Sequence, residues 1–109
     1  EEQQRRRSAV FIGVEEAFGP PQQRHERDVE SMAEILDELN FDGVPVEAYR
    51  MGVFNPEKHR PFKVVFSNSH DAAQVFRQSY MLKLSPQFSS VYIRPSYTAA
   101  LRKELFPKR

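Results

Sequence analysis

Apolar and polar positions begin to alternate where the chain leaves its polar start, at residues 8–14. Val10, Ile12 and Val14 lie on one side of a period-two pattern, so this stretch predicts a strand with these three side chains on its core face. Phe11 then lies on the other face of the strand. The pattern therefore predicts a strand that presents an aromatic ring away from the core.

Three further stretches, residues 44–50, 62–66 and 90–94, alternate in the same way and predict strands. Pro45 has no N–H to give to a neighbouring strand, so the second strand is predicted at an edge of the sheet. The predicted core-facing positions are Val46 and Ala48 in the second strand, Phe62, Val64 and Phe66 in the third, and Val91 and Ile93 in the fourth.

Helical spacing replaces alternation in three places. Residues 25–39 predict an amphipathic helix with an acidic outer face. Ser69 is a suitable N-cap for a second helix over residues 69–81, and Thr98 for a short terminal helix over residues 99–106. The apolar positions predicted to pack are Val29, Met32, Ala33, Ile35, Leu36 and Leu39 in the first helix and Ala72, Ala73, Val75, Phe76 and Tyr80 in the second.

The order strand, helix, strand, strand, helix, strand predicts an α+β fold of the ferredoxin-like type, a four-stranded antiparallel sheet with two helices on one face. Right-handed connections place the first and third strands in the centre of the sheet. This domain is predicted to cover residues 8–96, and residues 97–109 are predicted to form a C-terminal helix and tail. Residues 1–7 are a polar extension, either a frayed terminus or the end of an upstream helix or coiled coil.

The helix-free face of this sheet is predicted to carry aromatic rings interleaved with cations, a combination suited to stacking bases and holding phosphates. The candidate nucleic-acid-binding residues are Phe11, Tyr49, Tyr92, Lys63, Arg94 and Arg50, with Arg5, Arg6 and Arg7 beside the first strand. Phe11 is the predicted stacking platform, although the terminal helix is an alternative cover for it. Tyr49 and Tyr92 serve equally well as cross-strand packing partners.

Composition narrows the classes of function. The chain has 109 residues, a formal charge of +1 and no cysteine, so one domain is expected, without disulfides or thiolate metal sites. No apolar run approaches the roughly 18 residues of a membrane span and no signal peptide opens the chain. An intracellular protein is expected, in nucleus or cytoplasm. Because the sequence begins at Glu1 and not at Met, it is also expected to be a piece of a longer chain.

Catalytic and metal-binding patterns are not found in the sequence. His25, His59 and His70 fall in different predicted elements without the spacing of metal ligands, and there is neither a nucleophile elbow nor a phosphate-binding glycine loop. No enzyme activity, metal or cofactor is therefore expected.

Residues 10–14, Val-Phe-Ile-Gly-Val, resemble the shorter of the two signatures of the RNA recognition motif (RRM), with Phe11 at its stacking position. The longer signature, K/R-G-F/Y-G/A-F-V-x-F/Y, aligns with residues 59–66. There Pro61 and Lys63 stand where the outward aromatic residues belong. The resemblance thus implies one retained stacking position and two lost ones.

A narrower resemblance extends over nearly the whole chain. Residues 6–16, 49–52, 60–66, 93–98 and 101–102 are similar to the RRM-like domain in first-open-reading-frame proteins of LINE-type retrotransposons and their host-borne relatives, notably in nematodes. In that family a coiled coil precedes the domain. The resemblance implies nucleic-acid binding and assembly into a ribonucleoprotein.

Two functions follow as expectations. The first is binding of single-stranded RNA or another nucleic acid within a ribonucleoprotein assembly. The alternative is a degenerate RRM-like fold that acts as a protein–protein interaction or dimerisation module in an RNA-related complex. In that case exposed apolar side chains anchor a protein partner or a second copy. The candidate anchors are Phe18, Phe54, Leu101, Leu105 and Phe106.

Overall fold

The computed structural model describes residues 6–96. Arg5, the predicted helix at residues 99–106 and its Leu101, Leu105 and Phe106 lie outside the described residues. The elements in chain order are β1 (Ser8–Ile12), α1 (Pro21–Glu38), β2 (Glu47–Arg50), β3 (Phe62–Val65), α2 (Ser69–Arg77), the single-turn α3 (Tyr80–Lys83) and β4 (Tyr92–Pro95).

The four strands form one antiparallel sheet in the order β2-β3-β1-β4. The predicted α+β class and the four-stranded antiparallel sheet are confirmed, and β1 and β3 are central as expected. The arrangement is consistent with a ferredoxin-like fold. Pro45 precedes β2, which is an edge strand.

One face of the sheet packs against the helices. Its centre is formed by Ala9 and Phe11 of β1, which pair with Val64 and Phe62 of β3, and all four are at most 1% exposed. The helices add Met32, Ile35 and Leu36 from α1, Ala72 and Val75 from α2 and Leu82 from α3. Burying each large apolar side chain contributes about 1.5–3 kcal/mol, so this layer is a main source of stabilisation.

The predicted orientation of β1 was wrong. Phe11 is fully buried on the helix-covered face, whereas Val10 and Ile12 lie on the opposite face, opposite Arg94 and Tyr92 of β4. The neighbouring strands decide the orientation, because Phe62 alternates with charged Lys63 and pairs directly with Phe11. A ring that is fully buried in the core cannot serve as a stacking platform for a base.

Gly13 explains how Val14 enters the same core as Phe11. In a regular strand, two residues that are three positions apart have their side chains on opposite faces. The Gly13 φ of +90° lies in the region that favours glycine, and a Cβ there would stand 2.7 Å from the Ser90 carbonyl oxygen. The backbone therefore changes direction after Ile12 and returns Val14 to the core, where it is 2% exposed.

Helix starts differ from the predicted ones. α1 begins at Pro21, four residues before the expected start, since proline is well suited to the first helical turn. α2 is capped by Asn68, not by Ser69: the Asn68 Oδ1 accepts a 2.8 Å hydrogen bond from the Asp71 N–H. α2 ends at Arg77, and residues 80–83 form α3. Within residues 6–96, no helix has both the length and the apolarity needed to cross a membrane.

Candidate functional site

The sheet face opposite the helices, which we call the second face, carries four of the nine predicted nucleic-acid-binding side chains. Tyr49, Lys63, Val10 and Arg94 occupy one row across the four strands, because each is paired with the next. Tyr92 lies in the adjacent row, opposite Ile12. The register thus brings together four of the five residues predicted for this face and excludes Phe11.

The centre of this second face is not open. Ser8, Val10 and Val65 are only 1–2% exposed, and Lys63 is half-buried. The exposed aromatic residues stand on the two edge strands, with Tyr92 57% and Tyr49 40% exposed. Three strand spacings of about 4.8 Å separate these edges, so the two rings are too far apart to clasp one base.

Arg50 occupies the helix-covered side of the β2 edge, where its side chain is only 3% exposed. The Nη1 group donates to the carbonyl oxygens of Val14 (2.9 Å) and Arg60 (2.8 Å). Nη2 donates to the Glu15 carbonyl (2.8 Å) and to Asp28 Oδ1 (2.9 Å), and Nε donates to Asp28 Oδ2 (3.2 Å). The guanidinium also lies 4.8 Å from the centre of the Phe62 ring.

An arginine guanidinium has about five N–H donors, and the bonds described above use all of them. Arg50 therefore has no donor left for a phosphate, and its predicted role as a phosphate contact was wrong. Its position instead joins the end of β1, helix α1 and the loop before β3. Asp28 supplies the balancing charge through a forked pair of hydrogen bonds, the strong geometry for arginine and a carboxylate.

Sequence reasoning missed Asp28, although a signal was present. Asp28 precedes Met32 by four residues and Ile35 by seven, which places it on the buried face of α1. A carboxylate at such a position requires a cationic partner. The sequence of α1 therefore predicts a buried ion pair, but it does not identify the arginine that completes the pair.

A second ion pair, Glu16 with Arg60, lies next to the first. The Arg60 Nη2 and Nε groups donate to Glu16 Oε2 at 2.6 and 3.0 Å, and the Arg60 backbone N–H donates to Oε1 at 3.2 Å. Arg60 Nη1 also donates to the Gly52 carbonyl at 2.7 Å. The pair thus joins the β1–α1 loop to the loop between β2 and β3.

Glu16 ionises more easily than an ordinary glutamate. Burial raises its pKa, but the hydrogen bonds from the Arg60 side chain and backbone outweigh that effect, helped by the positive charges of Arg50 and Arg60. The net pKa lies below the ordinary value of 4.5. Glu16 is therefore a carboxylate that balances Arg60, and this pair too was missed in the sequence.

Phe18 and Phe54, predicted as partner-binding anchors, lie together at this end of the domain. Their rings meet edge to face with centroids 6.5 Å apart, and Phe18 is 69% exposed. The guanidinium of Arg24 lies 4.1 Å from the centre of the Phe54 ring. Its Nε is buried and has no hydrogen-bond partner within residues 6–96.

An apolar groove runs between α1 and the free edge of β2, and sequence reasoning did not predict it. Val29 is 50% exposed there, although it was expected in the core, and Val44 and Val46 are 84% and 62% exposed. The groove has a volume of about 490 Å³. We call it the edge groove; its lining includes Val29, Met32, Ala33, Leu36, Phe41, Val44, Pro45, Val46 and Ala48.

The two ends of the edge groove have opposite charges. Asp37 and Glu47 border it at the start of β2. At the other end it continues, past His25 and Ala48, into a cleft of about 180 Å³ that Arg24, Arg50 and Arg60 line. Asp28 and Glu16 neutralise Arg50 and Arg60, whereas no carboxylate within residues 6–96 pairs with Arg24. Arg24 therefore provides the excess positive charge.

Arg6 and Arg7 directly precede β1. The Arg7 carbonyl accepts a 2.7 Å hydrogen bond from the Phe66 N–H, which extends the pairing with β3, and the Arg6 side chain is exposed. Their predicted phosphate contacts stay a prediction.

No protein-family model matches the chain, and a search of curated proteins finds no significant match.

Proposed function

We propose that this chain is an RRM-type ferredoxin-like domain that serves as a protein–protein interaction module. The observation that carries the proposal is the edge groove, where aliphatic side chains are exposed beside an edge strand. Apolar surface of this kind on a small domain marks a contact site for another polypeptide. Aliphatic side chains stack poorly on bases, so the groove suits a protein partner better than a nucleic acid.

The sheet face argues in the same direction. Phe11 is in the core, the donors of Arg50 are used within the fold, and the centre of the second face is buried. A base stack is worth about 1–3 kcal/mol, so a face without a central ring lacks the main source of affinity for unpaired RNA.

Single-stranded RNA binding is a second candidate, favoured by the row of Tyr49, Lys63 and Arg94, with exposed Tyr92 in the adjacent row of the same face. The resemblance to retrotransposon RRM-like domains supports the same candidate. With about two phosphate contacts, affinity for single strands should fall roughly sevenfold between 50 and 200 mM salt.

Two measurements separate the candidates. Random peptides displayed on phage are selected on the 109-residue chain and counter-selected on the Val46→Glu variant, with Leu84→Glu as the matched control because Leu84 is 76% exposed outside the groove. We expect peptides that bind the parent and Leu84→Glu and lose binding to Val46→Glu by about tenfold or more.

In parallel, a labelled single-stranded oligonucleotide is titrated against the parent, Tyr92→Ala and Arg94→Glu at both salt concentrations. Absent binding, or binding that neither variant weakens, supports the interaction module. Salt-dependent binding that both variants weaken, together with no groove-dependent peptide, overturns it in favour of RNA.

A further inference from the structure

We propose that the edge groove and the free edge of β2 bind a second copy of this chain, so that the two β2 strands pair antiparallel and the sheet continues across a two-fold axis. This inference rests on the proposed interaction function and names its partner. It is carried by the backbone of β2, by the exposed valines and by the opposite charges at the ends of the groove.

The backbone of β2 presents an unpaired edge. The Met51 N–H donates to the Pro61 carbonyl at 2.8 Å, and the register pairs Tyr49 with Lys63 and Glu47 with Val65. Since bonding alternates along an antiparallel pair, Tyr49 and Glu47 bond to β3, and Ala48 and Arg50 direct their N–H and C=O groups outwards. Within residues 6–96, β2 has no other strand neighbour.

A second β2 fits this edge with its own outward groups. When Ala48 of one copy lies opposite Arg50 of the other, every outward N–H and C=O of the two strands has a partner, and the Tyr49 residues meet at the two-fold axis. Such an arrangement is isologous, the commonest geometry of protein dimers. Strand addition of this kind derives affinity from main-chain bonds and specificity from adjacent pockets.

Charge favours the same antiparallel pairing. The ion pair of Asp28 with Arg50 places the start of α1 beside the end of β2, so Arg24 lies at the opposite end of the groove from Asp37 and Glu47. The two-fold axis brings the Arg24 end of one copy to the acidic end of the other. A parallel pairing would instead set like charges together, which costs affinity.

Pairing also covers the exposed valines. Val44 and Val46 directly precede β2, and Val29 faces them from α1 across the groove. In the symmetric arrangement this apolar strip lies against the chain that follows β2 in the second copy, where Met51 is 36% and Val53 89% exposed. The apolar residues before β2 in one copy therefore meet the apolar residues after β2 in the other, and pairing leaves β2 without a free edge.

The first test measures mass against concentration by analytical ultracentrifugation of the 109-residue chain, whose monomer is 12.7 kDa. We expect a monomer–dimer equilibrium that Val46→Glu weakens about tenfold or more and that Leu84→Glu leaves unchanged. Circular dichroism checks that each variant is folded. A monomer at every concentration, or a dimer that Val46→Glu does not weaken, overturns the inference.

A charge exchange identifies the surface. Asp37→Arg and Arg24→Glu should each weaken the dimer, and the double variant should restore it. Thirteen residues of helix separate the two positions, about 20 Å, so they cannot rescue each other within one chain. Amide exchange adds a second readout: Ala48 and Arg50 should become protected as concentration rises, whereas Tyr49 is protected throughout.

Failure of the inference and failure of the proposed function give different results. A chain that stays monomeric but still selects groove-dependent peptides is an interaction module for another protein, which overturns self-association alone. A monomeric chain that selects no such peptide overturns both.

Discussion

At the scale of single residues, Arg50 fixes the architecture around it more firmly than any other polar side chain described. Its guanidinium joins three backbone carbonyls and the Asp28 carboxylate, and both charged side chains are at most 10% exposed. A guanidinium so enclosed is a structural element. Its value lies in holding the end of β1, α1 and the β2–β3 loop in one arrangement.

Replacing either partner should therefore destabilise the fold strongly. We expect Asp28→Asn to lower the free energy of unfolding by about 3 kcal/mol or more, because it leaves a buried guanidinium without its counter-charge. Arg50→Lys keeps the charge but loses donors, so we expect a loss of about 1–2 kcal/mol. The measurement is urea unfolding followed by circular dichroism.

Arg94→Lys is the matched control, since Arg94 is exposed on β4, and it should change stability by about 0.5 kcal/mol or less. Equal effects at Arg50 and Arg94 would contradict the structural role of Arg50.

Residue orientation was predictable only where one face of a strand is polar. In β3, Lys63 separates Phe62 from Val64, and the predicted core face is confirmed. In β1, Val10 and Phe11 are both buried, because a central strand can be covered on both faces. The alternation of residues in β1 therefore did not show which of its two faces packs against the helices. The ion pairs were harder still, since a buried carboxylate reveals its need for a cation but not which distant arginine meets it.

At the scale of elements, the order of strands and helices was predictable because the period of the apolar pattern changes between them. Boundaries were less so: the first helix was predicted to begin at residue 25, yet Pro21 opens α1. The edge groove escaped prediction for a related reason. Periodicity assigned Val29 to the buried face of α1. Whether Val29 is covered depends on how far the sheet extends beneath the helix, which the periodicity of α1 does not show.

The start of α2 gives a sharp test of local capping. Asn68 accepts from the Asp71 N–H through its side chain, whereas Ser69 was the predicted cap. We expect Asn68→Ala to lower the free energy of unfolding by about 1 kcal/mol, because one N–H of the first turn loses its acceptor. Ser69→Ala should change it by about 0.5 kcal/mol or less. A larger loss for Ser69→Ala than for Asn68→Ala, measured in the same urea series, would reverse the assignment.

At the scale of the whole molecule, the sheet order followed from the handedness of the connections, and the neighbourhood of Phe62 then settled the orientation of β1. What the connections do not determine is how the loops at one end of the sheet are joined. There Glu16 and Arg60 link the β1–α1 loop to the β2–β3 loop, and the same charges set how the stability of the whole domain depends on pH.

Glu16 has a folded-state pKa below its ordinary value of 4.5, so the unfolded chain binds more protons between the two values and stability rises with pH across that window. The stabilisation is complete above pH 4.5 and is lost as pH falls through the folded-state pKa.

We expect Glu16→Gln to be less stable than the parent by about 1–3 kcal/mol at pH 7, because Arg60 loses a charged acceptor. Urea unfolding at successive pH values should show this difference shrinking below pH 4.5, as the parent's own Glu16 becomes protonated. Glu26→Gln, at an exposed position of α1, should differ little from the parent at any pH. A difference for Glu16→Gln that stays constant down to low pH would show that the loss comes from the introduced amide group and that the charge of Glu16 has no part in joining the two loops.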